Sequence, residues 1–137
     1  MKKIIIILFF FSFSSSYASE IKLKKITGSL KKPWSLSFID QENVLITEKS
    51  GKLLALNLIN KKISEIKHNL YVLEDGQGGL LDVLYHKEQV YISYSENRGN
   101  WKTSTSVAKG KFNQKNIEFK NIFRAEPPIA SGYHFGS

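Results

Sequence analysis

The chain carries three histidines, His68, His86 and His134, and no cysteine, so proton transfer and metal binding fall to imidazoles and carboxylates. His134 has the most suggestive setting, Ser131-Gly132-Tyr133-His134-Phe135-Gly136. Two glycines and two aromatics bracket it on a sterically open strand or loop, where an imidazole can meet a ligand and accept a proton near neutral pH. A purely structural histidine fits that local sequence equally well. His68, between Lys67 and Asn69, reads as a surface residue, and His86 as a structural residue at a turn. The other distinctive stretch is Glu74-Asp75-Gly76-Gln77-Gly78-Gly79-Leu80-Leu81-Asp82-Val83. Three glycines around Gln77 allow positive φ and close approach of a ligand to backbone, or simply a tight bulged turn. A phosphate loop is excluded, because the Gly-Lys-Ser/Thr ending and the helix after it are missing. Asp75 and Asp82 are possible calcium ligands, but without the regular spacing of a calcium loop they read better as surface or capping residues.

Those residues need a scaffold, and composition bounds it. Met1 to Ala18 has a basic start at Lys2 and Lys3, an apolar run from Ile4 to Phe13 and small residues at Ser16 and Ala18, the pattern of a secretory signal peptide cleaved before Ser19. The run is about half of a bilayer crossing, so an exported, soluble protein is expected, periplasmic in a Gram-negative cell, with no membrane partner. Residues 19–137 suffice for one domain stabilised by packing rather than by disulfides. Without Lys2 and Lys3, 18 basic residues face 12 acidic ones, a net +6. Only Arg98 and Arg124 are arginines, and the lysines are scattered, so no nucleic-acid surface is expected.

Apolar and polar residues alternate in Trp34 to Phe38 and again in Val90 to Ser95, the period of half-buried strands. Further strands are expected at Ile21–Lys24, Val44–Thr47, Lys52–Leu58, Lys62–Ile66, Leu80–Tyr85, Thr103–Phe112 and Ile117–Phe123, separated by turns rich in Gly, Asn and Asp. The fold class is all-β. Two groups of four strands, beginning near Trp34 and near Leu80, each have the length of a propeller blade, although periodicity alone also permits a sandwich or barrel.

Seven stretches occur in order: PWSLSF (33–38), ITEKSGKL (46–53), GQGGLLDV (76–83), VYISYSE (90–96), VAKGKF (107–112), IFR (122–124) and GYHFGS (132–137). Together they resemble the N-terminal part of the glucose/sorbosone dehydrogenase family, soluble aldose sugar dehydrogenases that use pyrroloquinoline quinone (PQQ). The resemblance implies a six-bladed β-propeller, of which residues 19–137 supply about two blades and the start of a third. It implies PQQ and calcium near the axis of the whole propeller, an aldose substrate, His134 as the general base and Gln77 as a substrate-positioning residue. The family's quinone-binding basic residues and calcium ligands lie further along the chain than the stretches matched here. Tyr133 stands where the family commonly has His or Asp, Lys87 where it usually has Pro, and the turn at Asp40 lacks Pro-Asp-Gly. A fragment of this kind is expected to be inactive alone and to expose blade faces around Leu80, Val83 and Ile92. The alternative is a non-catalytic secreted module that binds carbohydrate or protein.

Overall fold

A computed structural model describes residues 21–136; the expected signal peptide, Met1 to Ala18, lies outside the described residues. Among those described, every regular element is a strand. In chain order they are β1 (Pro33–Phe38), β2 (Asn43–Glu48), β3 (Lys52–Asn57), β4 (Ile63–His68), β5 (Leu80–His86), β6 (Gln89–Asn97), β7 (Thr103–Lys111), β8 (Asn116–Ile117) and β9 (Lys120–Arg124). They form two sheets, ordered β1-β2-β3-β4-β8 and β5-β6-β7-β9.

The sheets pack face to face because each presents one apolar side to the other. Leu45, Leu53 and Ile66 of the first sheet meet Leu80, Val83, Val90, Ile92, Tyr94 and Ala108 of the second, with Ile117 and Phe119 closing the layer. On the far side of the first sheet, Val44, Ile46, Leu54 and Leu56 are covered by Ile26, Leu30, Leu58 and Ile63. Strand β2, buried on both faces, therefore reads as a nearly continuous apolar run, Val44-Leu45-Ile46, rather than as an alternation. Leu80, Val83 and Ile92, expected to lie uncovered, are instead buried between the sheets. The apolar residues that the second sheet does expose are others, among them Leu84 and Phe123 on its far side.

Strand β1 turns its apolar side outward. Its alternation is present, yet Trp34, Leu36 and Phe38 are 43%, 57% and 59% exposed, while the serines between them face the second sheet. Ser35 Oγ bonds to the Asp82 carboxylate, and Ser37 Oγ accepts a hydrogen bond from Tyr85 N at 2.9 Å. Ser35 and Ser37 meet Asp82 and Tyr85 in the same order, so β1 and β5 run alongside in the same direction. Hydroxyls sit at that seam because they satisfy backbone and carboxylate groups of the neighbouring strand.

Two expected strands are corrected. Ile21–Lys24 forms none: Ile21 and Leu23 are 87% and 97% exposed, and this stretch pairs with no strand among the described residues. The stretch Ile117–Phe123 divides between the sheets. Its first part is β8, which pairs parallel with β4 through Lys67–Asn116 and His68–Ile117; its second part is β9, which pairs antiparallel with β7. The break falls at Phe119, where the side-chain amide of Asn69 takes the place of a partner strand. Asn69 Oδ1 accepts from Phe119 N at 2.9 Å, and Asn69 Nδ2 donates to Phe119 O at 3.1 Å.

The turns explain two of the departures from the family pattern. Lys87 and Glu88 have φ of 48° and 62°, so β5 and β6 are joined by a two-residue hairpin turn of the mirror-image type. Proline, locked near φ −65°, cannot occupy Lys87 in that turn. Asp40 turns the chain through its side chain, with Oδ1 accepting from Glu42 N and Asn43 N, both at 2.8 Å. Those bonds hold its carboxyl below the usual carboxylate range.

Candidate functional site

The glycine stretch fills the connection between β4 and β5, at the end of the sheets where β2 turns into β3. Residues Asp75 to Gly78 make a four-residue turn closed by a 2.6 Å hydrogen bond from Gly78 N to Asp75 O. Gly76 takes φ 51° and Gly79 φ 156°, both in the region that favours glycine. Behind the turn, Ser95 of β6 anchors it: Ser95 N donates to Gly79 O at 2.9 Å, and Ser95 Oγ donates to Leu73 O at 2.5 Å.

After β9 the chain bridges back through paired hydrogen bonds between Ile129 and Thr103, each 2.9 Å. Residues 131–136 then lie over the glycine turn without forming a strand. Gln77 N donates to Gly132 O at 2.6 Å, and His134 N donates to the Gln77 side-chain oxygen Oε1 at 3.1 Å. The two residues singled out for sugar chemistry, 57 positions apart, are thus in direct contact. His134 has φ 66°, an uncommon left-handed conformation for a side-chain-bearing residue. Its ring is exposed and makes no hydrogen bond among the described residues, so both nitrogens are open to a ligand. The Gln77 amide nitrogen is likewise left as a donor.

Glycine is required here by contact as well as by φ. A Cβ on Gly76 would collide with the Gly132 carbonyl, and one on Gly78 would lie 2.8 Å from Ser95 Oγ and 2.9 Å from the Phe135 ring. Gly76→Ala is expected to destabilise the chain by about 1–3 kcal/mol through a strained backbone and a forced separation of the two segments. Urea unfolding of the variant beside the wild type measures this.

The remaining residues of interest sit elsewhere. Among the described residues, no three His, Asp or Glu side chains stand close enough together to hold a metal ion. Asp75 packs against Gly132, and Asp82 is bound to Ser35 across the seam. His68 is not a plain surface residue. It is half-buried, its Nδ1 accepts from Leu70 N at 3.2 Å, and its Nε2 therefore carries the proton donated to Gly51 O at 2.7 Å. It also stands edge-on to Phe119. His86 ends β5, opposite Gln89. Sequence reasoning missed Lys49, whose ammonium bonds to the Gly76 carbonyl and whose own carbonyl accepts from Leu80 N at 3.2 Å.

A family model described as Glucose / Sorbosone dehydrogenase matches residues 30–137. The chain belongs to the glucose/sorbosone dehydrogenase family. Aldose sugar dehydrogenase YliI of Escherichia coli (strain K12) is 30% identical over 125 residues, covering 85% of this chain and 34% of the relative. A solved glucose dehydrogenase superposes with a TM-score of 0.76 at 35% identity, over 82% of this chain and 36% of that one. The PQQ-bound aldose sugar dehydrogenase of Streptomyces coelicolor gives a TM-score of 0.66 at 15% identity, over 77% of this chain and 34% of that one, a likeness of fold alone. The chain therefore spans about a third of the length of the relatives it matches. Its two stacked sheets are blades of an unclosed β-propeller, as the glucose/sorbosone dehydrogenase resemblance implied.

Proposed function

We propose that this segment is the first part of an exported, PQQ-dependent aldose dehydrogenase, in which His134 is the general base and Gln77 positions the sugar. The observation that carries the reading is the hydrogen bond from His134 N to Gln77 Oε1, which ties an exposed imidazole to a glutamine with a free amide nitrogen. The left-handed backbone at His134 adds weight, since sparsely populated conformations cluster at functional sites.

In this reading an imidazole nitrogen of His134 takes the proton from the anomeric hydroxyl as the C1–H bond breaks, and the sugar leaves as a lactone. The Gln77 amide donates to a sugar oxygen and holds the ring against the imidazole. PQQ, when bound, supplies a two-electron acceptor for the C1 hydride. No residue of this segment is assigned to the quinone, since His134 and Gln77 both serve the sugar in this reading. Among the described residues, Asp75 and Asp82 belong to no group of three side chains that could hold a metal ion, so this segment assigns calcium no ligand.

The test uses the longest natural polypeptide that carries this segment, supplied with PQQ, an aldose and an artificial electron acceptor. Dye reduction that requires both quinone and sugar is expected; none with any aldose would refute the reading. Export is tested separately by N-terminal sequencing of the secreted protein, with Ser19 expected first.

A further inference from the structure

The peptide group between Gly76 and Gln77 is the central one of the Asp75–Gly78 turn. The closing bond, Gly78 N to Asp75 O, leaves both its oxygen and its N–H unpaired within the turn. Turn types differ mainly in the orientation of that central peptide, and a glycine on its N-terminal side lowers the barrier between orientations. Its direction here depends on two partners outside the turn. The Lys49 ammonium holds the Gly76 oxygen, and the Gly132 carbonyl holds the Gln77 N–H at 2.6 Å.

We propose that Lys49 is a positioning residue for the Gln77–His134 pair, acting through this single peptide plane. Because the amide is planar and trans, fixing its oxygen fixes the direction of its N–H. A cation on the oxygen also polarises the amide and strengthens the N–H as a donor toward Gly132. Gly132 lies two residues before His134, so the same bond sets the backbone that presents the imidazole. Lys49 reaches the site because its own carbonyl is fixed by Leu80 N at the start of β5. That anchor is backbone, and changing the side chain leaves it intact. A neighbouring ion pair, Lys32 to Glu74 at 2.8 Å, serves as a control: its lysine side chain is 73% exposed and bonds to the Glu74 carboxylate, not to this peptide.

The effect on turnover rests on the function proposed above; the effect on geometry does not. Single-amide hydrogen exchange, read by NMR on the full chain, tests the geometry. Lys49→Met is expected to speed exchange at Gln77 and His134 about tenfold, the worth of one charge-assisted hydrogen bond, while the Tyr94 amide in β6 is unchanged. Lys49→Arg restores wild-type exchange, and Lys32→Met does not alter it. Wild-type exchange at Gln77 and His134 in Lys49→Met, or an equal acceleration at Tyr94, overturns the proposal. In the longest natural polypeptide, Lys49→Met is expected to lower kcat about tenfold with little change in KM. If exchange responds as expected but His134 variants keep full turnover, the reading of the site fails and the positioning of Gln77 by Lys49 stands.

Discussion

Replacing His134 with asparagine is expected to lower kcat for aldose oxidation by about 10²- to 10⁴-fold, the usual contribution of a positioned general base. Asparagine suits the test because the backbone at this residue is left-handed, with φ 66°, and asparagine adopts that region readily. The backbone donor to Gln77 Oε1 is then retained, and only the imidazole is lost. Because the ring is exposed and makes no hydrogen bond among the described residues, the melting temperature is expected to stay within a degree or so of wild type. Stopped-turnover assays in the longest natural polypeptide, with KM and kcat determined separately, give the answer. Unchanged kcat in a folded variant would exclude His134 as the base.

The second large effect is structural and lies at Glu96, 7% exposed near the end of β6. Its carboxylate accepts from Arg124 Nε and Nη2 at 2.8 Å each, from Ser106 Oγ at 2.7 Å and from Asn121 Nδ2 at 3.1 Å. Asn121 in turn accepts from the Tyr94 hydroxyl at 2.8 Å. Glu96→Ala is expected to cost about 3 kcal/mol, the lower end for a broken buried pair, because the half-exposed Arg124 side chain can return to water. Burial pushes the Glu96 carboxyl up, but the hydrogen bonds from Arg124 and Ser106 and the charges of Arg124 and Arg98 outweigh it and hold the group below the ordinary range. The unfolded chain therefore takes up this proton first as pH falls. The stability that Glu96 contributes is present above the unfolded value, about 4.3, and disappears as pH drops through the lower folded value. Urea unfolding of wild type and Glu96→Gln from pH 7 to pH 3 should show their difference shrinking with acidity. A difference that grows toward pH 3 would contradict the network.

The strands were legible wherever one sheet face was buried and its partner lay nearby in sequence. Val90, Ile92 and Tyr94 alternate in the chain and are buried in the structure, and most turns fall where Gly, Asn and Asp cluster, the Lys87-Glu88 hairpin being the exception. Alternation does not say which side is inward. In β1 the seam between sheets took the serines and left Trp34, Leu36 and Phe38 outward. The division of Ile117–Phe123 was illegible for another reason: Asn69, a residue far away in sequence, completes the pairing of Phe119 with its side chain. At the candidate site, the glycines pointed to a tight turn or to a ligand close against the backbone, and what lies against them is the chain itself. The identity of the approaching segment, residues 131–136, and the lysine beneath the turn are long-range facts that spacing cannot carry.

The return of the chain from β7 to the first sheet, before it completes its own, governs the order of assembly. The outer edge of β4 stays open until β8 has left the ribosome, and Asn69 waits for a partner 50 residues downstream. The first blade therefore cannot be finished until most of the second has been made, so it is not a module completed ahead of its neighbour. Until then the bare β4 edge is a template for mispairing, and its most vulnerable moment comes during synthesis.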